Sequence, residues 1–148
     1  MKIELINIGE EEIVSLICLK CIRKINAEDL TNEQVDVLLN EFSRAGIISY
    51  AERYKVYVAK NDNDEILGTG TLAGNQIKGV FVDTKYLGRG VGKFIMKFIE
   101  NELKKSGYKK SFLTSSKYAR EFYLKPGYEE INVIDSTVGE MTEMEKVI

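Results

Sequence analysis

Three glycines at positions 88, 90 and 92, interleaved with Arg89 and followed by Lys93, are the residues of this 148-residue chain whose types and spacing best suit chemistry. Glycine strips side chains from a turn, so consecutive backbone N–H groups can converge on one point, and a helix starting there adds the positive end of its dipole. The result is a cradle for an anion, above all a phosphate. Arg89 and Lys93 supply cations that reach phosphate oxygens by charge-assisted hydrogen bonds. A plain tight turn would need neither three glycines nor two flanking cations.

Spacing narrows the choice of phosphate site. A Walker A loop needs GxxxxGK followed by Ser or Thr, whereas the run ending in Gly92 and Lys93 is one residue short and is followed by Phe94. A dinucleotide fingerprint needs GxGxxG near the start of a strand–helix–strand unit, with an acidic residue about 20 positions on. Here the third glycine is misplaced and the unit follows what reads as an antiparallel meander.

The elements that must hold this turn can be read from periodicity. The run Val80, Phe81, Val82 ends a strand over residues 76–82, and Asp83 begins the bend. After Gly90, Val91, Phe94, Ile95, Phe98, Ile99 and Leu103 recur at helical spacing, and Ser106 and Gly107 close the helix. Strands are expected over 2–8, 54–59, 65–73, 109–115, 128–133 and 140–148. Helices are expected over 10–24, from a capping box at Thr31 and Gln34 to about Gly46, and over 118–124. Residues 47–53 read equally as a short helix or a loop. Pro126 and Gly127 stop the last helix.

Composition sets outer bounds. With 44% hydrophobic and 30% charged residues the chain reads as one globular domain over residues 1–148. The net charge of -2 argues against a partner nucleic acid, which calls for a strongly basic face. No apolar run approaches the ~20 residues of a membrane span, and the first residues lack the apolar segment of a signal peptide. No membrane partner and a cytoplasmic location are the expectation. There is no histidine, so a general base has to be a carboxylate, a tyrosine, a lysine or a water. Cys18 and Cys21 form a CxxC inside a helical pattern and read as two reduced core or boundary cysteines, because zinc would need further ligands and no metal site is otherwise legible.

At the glycine turn the chain resembles the GCN5-related N-acetyltransferase family. The family's glycine motif aligns with Leu87, Gly88, Arg89, Gly90, Val91 and Gly92, and its preceding strand with Val80, Phe81, Val82 and Asp83. A second block aligns with Ala119, Phe122, Tyr123, Gly127 and Tyr128, and the close match covers residues 54–130. Two motifs in the right order are more specific than either alone. The resemblance implies an α+β acyl-CoA N-acyltransferase fold: a mixed, mostly antiparallel sheet of six or seven strands, splayed at its centre, with helices on both faces.

It also implies acetyl-CoA as cofactor and transfer of the acetyl group to a primary amine, on a small molecule or a peptide, by direct attack in a ternary complex. The amides of residues 88–93 would hold the pyrophosphate, and the backbone of Val80, Phe81 and Val82 would pair with the pantetheine arm. Tyr123 would be the general acid on the departing thiolate, a role its unperturbed pKa of about 10 allows at neutral pH. Ser116 stands where many members contact the pantetheine with asparagine, and Leu87 replaces a polar residue of the motif. Ser111 and the strand at Gln76 lack the glutamates that serve some members as base, which leaves Glu52, Tyr50, Tyr86 or an ordered water. Residues 24–54, with Phe42, Tyr50, Glu52 and Tyr54, are expected to shape the acceptor pocket. Members often form homodimers. A covalent cysteine intermediate is disfavoured because Cys18 and Cys21 lie far from the site in sequence. Two rival readings are a non-catalytic acyl-CoA sensor of the same fold and a nucleotide-binding protein outside the family.

Overall fold

The computed structural model describes residues 1–25 and 30–148, and of Ile25 the backbone only. Its elements are β1 (Lys2–Leu5), α1 (Glu11–Ile25), α2 (Asn32–Glu41), α3 (Arg44–Arg53), β2 (Lys55–Lys60), β3 (Ile66–Ala73), β4 (Gln76–Val82), α4 (Val91–Lys105), β5 (Lys110–Ser116), α5 (Arg120–Leu124), β6 (Glu129–Ser136) and β7 (Gly139–Val147). The strands form one sheet in the order β1-β2-β3-β4-β5-β7-β6. Every pairing is antiparallel except β4 with β5, where α4 supplies the crossover that a parallel pair requires.

Strand alternation divides the interior between two faces. Tyr57 and Ala59 of β2 join Leu67, Leu72, Ile77 and Leu113 beneath α4, which contributes Ile95, Met96, Ile99 and Leu103. Val56 and Val58 point the other way, against Val14, Ile17, Cys18 and Ile22 of α1, with Phe42, Ile47 and Tyr50 behind them. Burying side chains of this size stabilises the fold by roughly 1.5–3 kcal/mol each. Helix α4 lies close on the sheet because β3 carries glycine beneath it. A Cβ on Gly70 would sit 2.7 Å from Ile95 Cγ2 and 2.8 Å from Ile99 Cδ1.

Local chemistry explains the element ends. The capping box is present, Thr31 Oγ1 accepting from Gln34 N at 3.1 Å and Gln34 Oε1 from Thr31 N at 3.0 Å. The first strand stops at Leu5 rather than residue 8, because Asn7 N and Gly9 N turn to the carboxylates of Glu10 and Glu11 at 2.8 and 2.6 Å. The ambiguous stretch before β2 is helical. It begins at Ser43, whose hydroxyl accepts from Gly46 N at 3.2 Å, and Gly46 is required there because a Cβ would meet the Glu41 carbonyl oxygen. The last hairpin turns later than expected, Ser136 pairing with Gly139 across Thr137 and Val138. Among the described residues no helix is long and apolar enough to cross a membrane.

Candidate functional site

The parallel strands β4 and β5 touch over one short register, Gln76 with Phe112 and Ile77 with Leu113. The break follows immediately. Thr71 pairs with Gly79 and Leu72 with Ile77, so Lys78 is an extra residue, a bulge in β4. A bulge bends its strand and ends local pairing. Beyond it Val80, Phe81 and Val82 stay paired to β3 but have no partner on the β5 side, while β5 continues along β7 to Ser116. The sheet is therefore splayed at its centre, and backbone hydrogen-bonding groups of β4 line the gap. Gly79 accommodates the Phe81 ring, which would lie 3.0 Å from a Cβ there.

The glycine turn sits at the mouth of that gap. Asp83 accepts from Lys85 N at 3.1 Å and starts a single 3-10 turn, Thr84–Tyr86. Gly88 and Gly90 then adopt φ of 76° and 81°, a left-handed backbone that residues with a Cβ rarely take. A Cβ at either position would meet nothing within 4 Å, so glycine is there for the backbone path and leaves open space in front of it. Gly90 is the N-cap of the 15-residue α4 and makes no side-chain cap, which leaves the first amides of that helix facing the opening. Gly92 serves packing instead. A Cβ there would lie 2.9 Å from the Phe122 ring, so its absence lets that ring pack on the start of α4.

These parts enclose a cleft of about 420 Å³. Val80, Phe81, Val82, Gly88, Gly90, Val91, Gly92, Lys93, Ser116 and Tyr123, ten of the eleven residues picked out from sequence, line it together. The eleventh, Arg89, is turned aside, its guanidinium 5.7 Å from the centre of the Tyr86 ring, while the Tyr86 hydroxyl donates to Glu65 Oε2 at 3.0 Å. Ser116 Oγ accepts from Ala119 N at 3.3 Å and so braces the loop into α5. Tyr123 is 6% exposed, with the rings of Phe122 and Tyr128 at 5.0 and 6.2 Å between centres. Burial, with Tyr128 beside it, holds its phenol pKa well above the ordinary value, so it keeps its proton. Tyr128 is anchored by donating to Ser111 Oγ at 2.8 Å, which gives the serine on β5 a structural role.

One expectation is corrected. Cys21 lies far from the cleft in sequence but not in space: α1 carries it into the cleft wall, where its thiol donates to the Val82 carbonyl at 3.1 Å. Burial pushes its pKa up, so it is a thiol at neutral pH and a weak nucleophile. Cys18, 1% exposed, belongs to the core. Sequence reasoning also missed Ile22 and Tyr118 in the cleft wall. The helical pattern marks Ile22 as buried but does not say against what.

Of the residues expected to shape the acceptor pocket, Phe42 packs edge-on against Phe81 at 4.9 Å and Tyr50 donates to Glu41, both as part of the second core. Glu52 is exposed on α3. Residues 26–29 of that segment lie outside the described residues. A second cavity of about 350 Å³ lies elsewhere, bounded by Leu30, Leu38 of α2, the loop after β5 and the β6–β7 turn.

A centrally splayed mixed sheet, with a left-handed glycine turn delivering a helix N-terminus to the gap, defines an acyl-CoA acyltransferase type of protein. The comparisons agree. The family profile described as an acetyltransferase (GNAT) domain matches residues 26–147, and the chain belongs to that family. By sequence alone no curated protein matches significantly. A solved GCN5-related N-acetyltransferase from Rhodopseudomonas palustris superposes with a TM-score of 0.87 at 20% identity, covering 99% of this chain and 95% of its own. A PaiA N-acetyltransferase from Thermoplasma acidophilum, solved with coenzyme A, gives 0.79 at 18% identity over the whole of both chains. An aminoglycoside 6'-acetyltransferase type Ii gives 0.69 at 16% identity, covering 99% and 97%. The chain is thus a member of the GNAT acetyltransferase family with the fold expected from the sequence, and acetyl-CoA is the cofactor its family uses. The residues present fit that cofactor: the open space before Gly88 and Gly90 suits a pyrophosphate, and the free side of β4 suits an amide-bearing arm.

Proposed function

We propose that this chain moves the acetyl group of acetyl-CoA to a primary amine by direct attack in a ternary complex, with Tyr123 as the general acid. The observation that carries the reading is that one cleft holds the α4 glycine turn, the unpaired side of β4 and the protonated phenol of Tyr123. Acetyl-CoA supplies the activated thioester and a thiolate leaving group. The amides of residues 88–93 and the Lys93 ammonium bind the pyrophosphate, with the α4 dipole adding positive potential. The β4 backbone at Val80, Phe81 and Val82 orients the arm and polarises the thioester carbonyl. Ser116 holds the loop that leads to Tyr123.

The amine must lose its ammonium proton to water or a nearby base before it attacks. The C–N bond would then form and the C–S bond break, the attacking nitrogen giving up its second proton to water while the Tyr123 hydroxyl gives its own to sulfur and regains one from solvent. Replacing Tyr123 by Phe keeps the ring and removes the proton. Turnover should fall by about 10²–10⁴-fold while the Kd for acetyl-CoA, read by calorimetry, stays within about twofold. Unchanged turnover would remove Tyr123 from the role. Acetyl-CoA binding with no turnover of any amine by the unaltered protein would favour the sensor reading.

A further inference from the structure

Helix α4 buries Ile95, Ile99 and Leu103 against the sheet and turns a different set of residues outward. Lys93, Lys97, Asn101 and Lys104 are exposed and recur at helical spacing, which puts them in one stripe along the helix. Lys93 belongs to both features, since it lines the acetyl-CoA cleft and heads the stripe, and the exposed Arg89 stands just before it in the glycine turn. Among the described residues, Lys93, Lys97 and Lys104 have no carboxylate partner. The two acids of α4 are used elsewhere, Glu100 by Lys146 Nζ at 2.9 Å and Glu102 by Lys105 Nζ at 3.0 Å. Lys104, in the last turn, is favoured by the helix dipole. The other two are not: Lys93 lies in the first turn, where the dipole opposes a cation, and Lys97 faces this like charge one turn on. Cations placed at a local cost to their helix are expected where a ligand offsets that cost.

We propose that this stripe docks an acidic carrier protein bearing its acyl group on a phosphopantetheine arm, so that the cleft takes a protein-borne donor as well as acetyl-CoA. The inference rests on the reading of the cleft as an acetyl-CoA site. As far as the first phosphate the two donors are the same chemical group, an acyl thioester on a pantetheine arm. Beyond it, CoA continues into its nucleotide and the carrier into a serine of a folded protein. A phosphate held at the glycine turn therefore leaves the carrier's body outside that turn, against Arg89 and the head of the stripe. Free acetyl-CoA does not account for the whole stripe: it has a single phosphate beyond its pyrophosphate, and Lys104 lies about 16 Å farther along the helix axis than Lys93. A protein surface spans that length, and carboxylates on it complement the row of ammonium groups. The transfer is the same with either donor. The neutral amine forms the C–N bond and gives its surplus proton to water, the C–S bond breaks, and the arm's sulfur takes the Tyr123 proton.

The test is a set of calorimetric titrations into the unaltered protein and into a variant carrying both Lys97→Glu and Lys104→Glu, with folding verified by circular dichroism. The probes are acetyl-CoA, an acidic acyl carrier protein acetylated on its phosphopantetheine arm, the same carrier without the arm, and phosphatidylglycerol vesicles. The acetylated carrier should bind the unaltered protein and displace acetyl-CoA, and the carrier without its arm should bind more weakly. Reversing the two charges should raise the Kd of the acetylated carrier by about tenfold or more and leave that of acetyl-CoA within about twofold. A carrier that does not displace acetyl-CoA, or whose Kd the two substitutions do not move, would overturn the assignment. So would equal affinity for the carrier without its arm, or vesicle binding that the substitutions abolish while carrier binding stays unchanged. Failure to bind acetyl-CoA at all would refute the cleft reading itself, and this inference with it.

Discussion

At the scale of single residues, the protonation states of Tyr123 and Cys21 decide what chemistry the cleft allows. A general acid must be protonated to work, and burial keeps the Tyr123 phenol protonated to higher pH than a free tyrosine. Its alkaline limb should then lie above pH ~10, the ordinary phenol value. Turnover should rise with pH as the acceptor amine loses its proton, with no fall below about pH 10. A pH–rate profile checks this, and a fall near pH ~8 would point to a different acid. Cys21 is likewise held as a thiol by burial and donates to Val82 O. Cys21→Ala should leave turnover within about threefold, because no proposed step passes through the Cys21 sulfur, and acetyl-CoA should slow alkylation of the thiol by covering it. Loss of turnover comparable to that of Tyr123→Phe would revive the covalent route.

At the scale of elements, the site is made by what β3 and β4 leave out. Gly68 faces Val82 across the ladder, and a Cβ there would lie 2.7 Å from the Phe81 carbonyl oxygen. That atom is backbone and cannot swing aside. Gly68→Ala should therefore cost about 1–3 kcal/mol of stability, read from denaturant midpoints, and weaken acetyl-CoA binding by shifting the strand that lines the cleft. Wild-type stability and affinity would mean that the β3–β4 spacing is not tightly set. Helix α4, the capping box at Thr31 and the glycine turn were legible in sequence, because each is a local pattern with its own period or cap. Helix α3 was ambiguous, since Gly46 near its start weakens the helical reading and only packing of Ile47 and Tyr50 settles it. The bulge at Lys78 left only the weak mark of Gly79 inside the strand, since a glycine there suits a bulge and a close backbone approach equally.

At the scale of the whole molecule, there are two cavities with Ser116 and Tyr118 in the walls of both, one built mainly from residues 80–93 and 116–123, the other from residues far apart in the chain. The first could be read because its residues fall in two compact motifs, whereas Cys21 and Ile22 reach it only through the packing of α1. The second could not, since Leu30, Leu38 and the β6–β7 turn carry no shared pattern and meet only in the fold. The cleft at the glycine turn is thus fixed by local sequence and the second cavity by tertiary structure. The proposed transfer depends on the α4 glycine turn holding the pyrophosphate of acetyl-CoA. Calorimetric titration of acetyl-CoA and of ATP into the unaltered protein and into Gly90→Glu, with folding verified by circular dichroism, tests that most directly. Acetyl-CoA should bind the unaltered protein while ATP does not bind tightly, and acetyl-CoA binding should be lost when a carboxylate enters the turn. Normal acetyl-CoA affinity in folded Gly90→Glu, or tight ATP binding without acetyl-CoA binding, would contradict a pyrophosphate site at this turn.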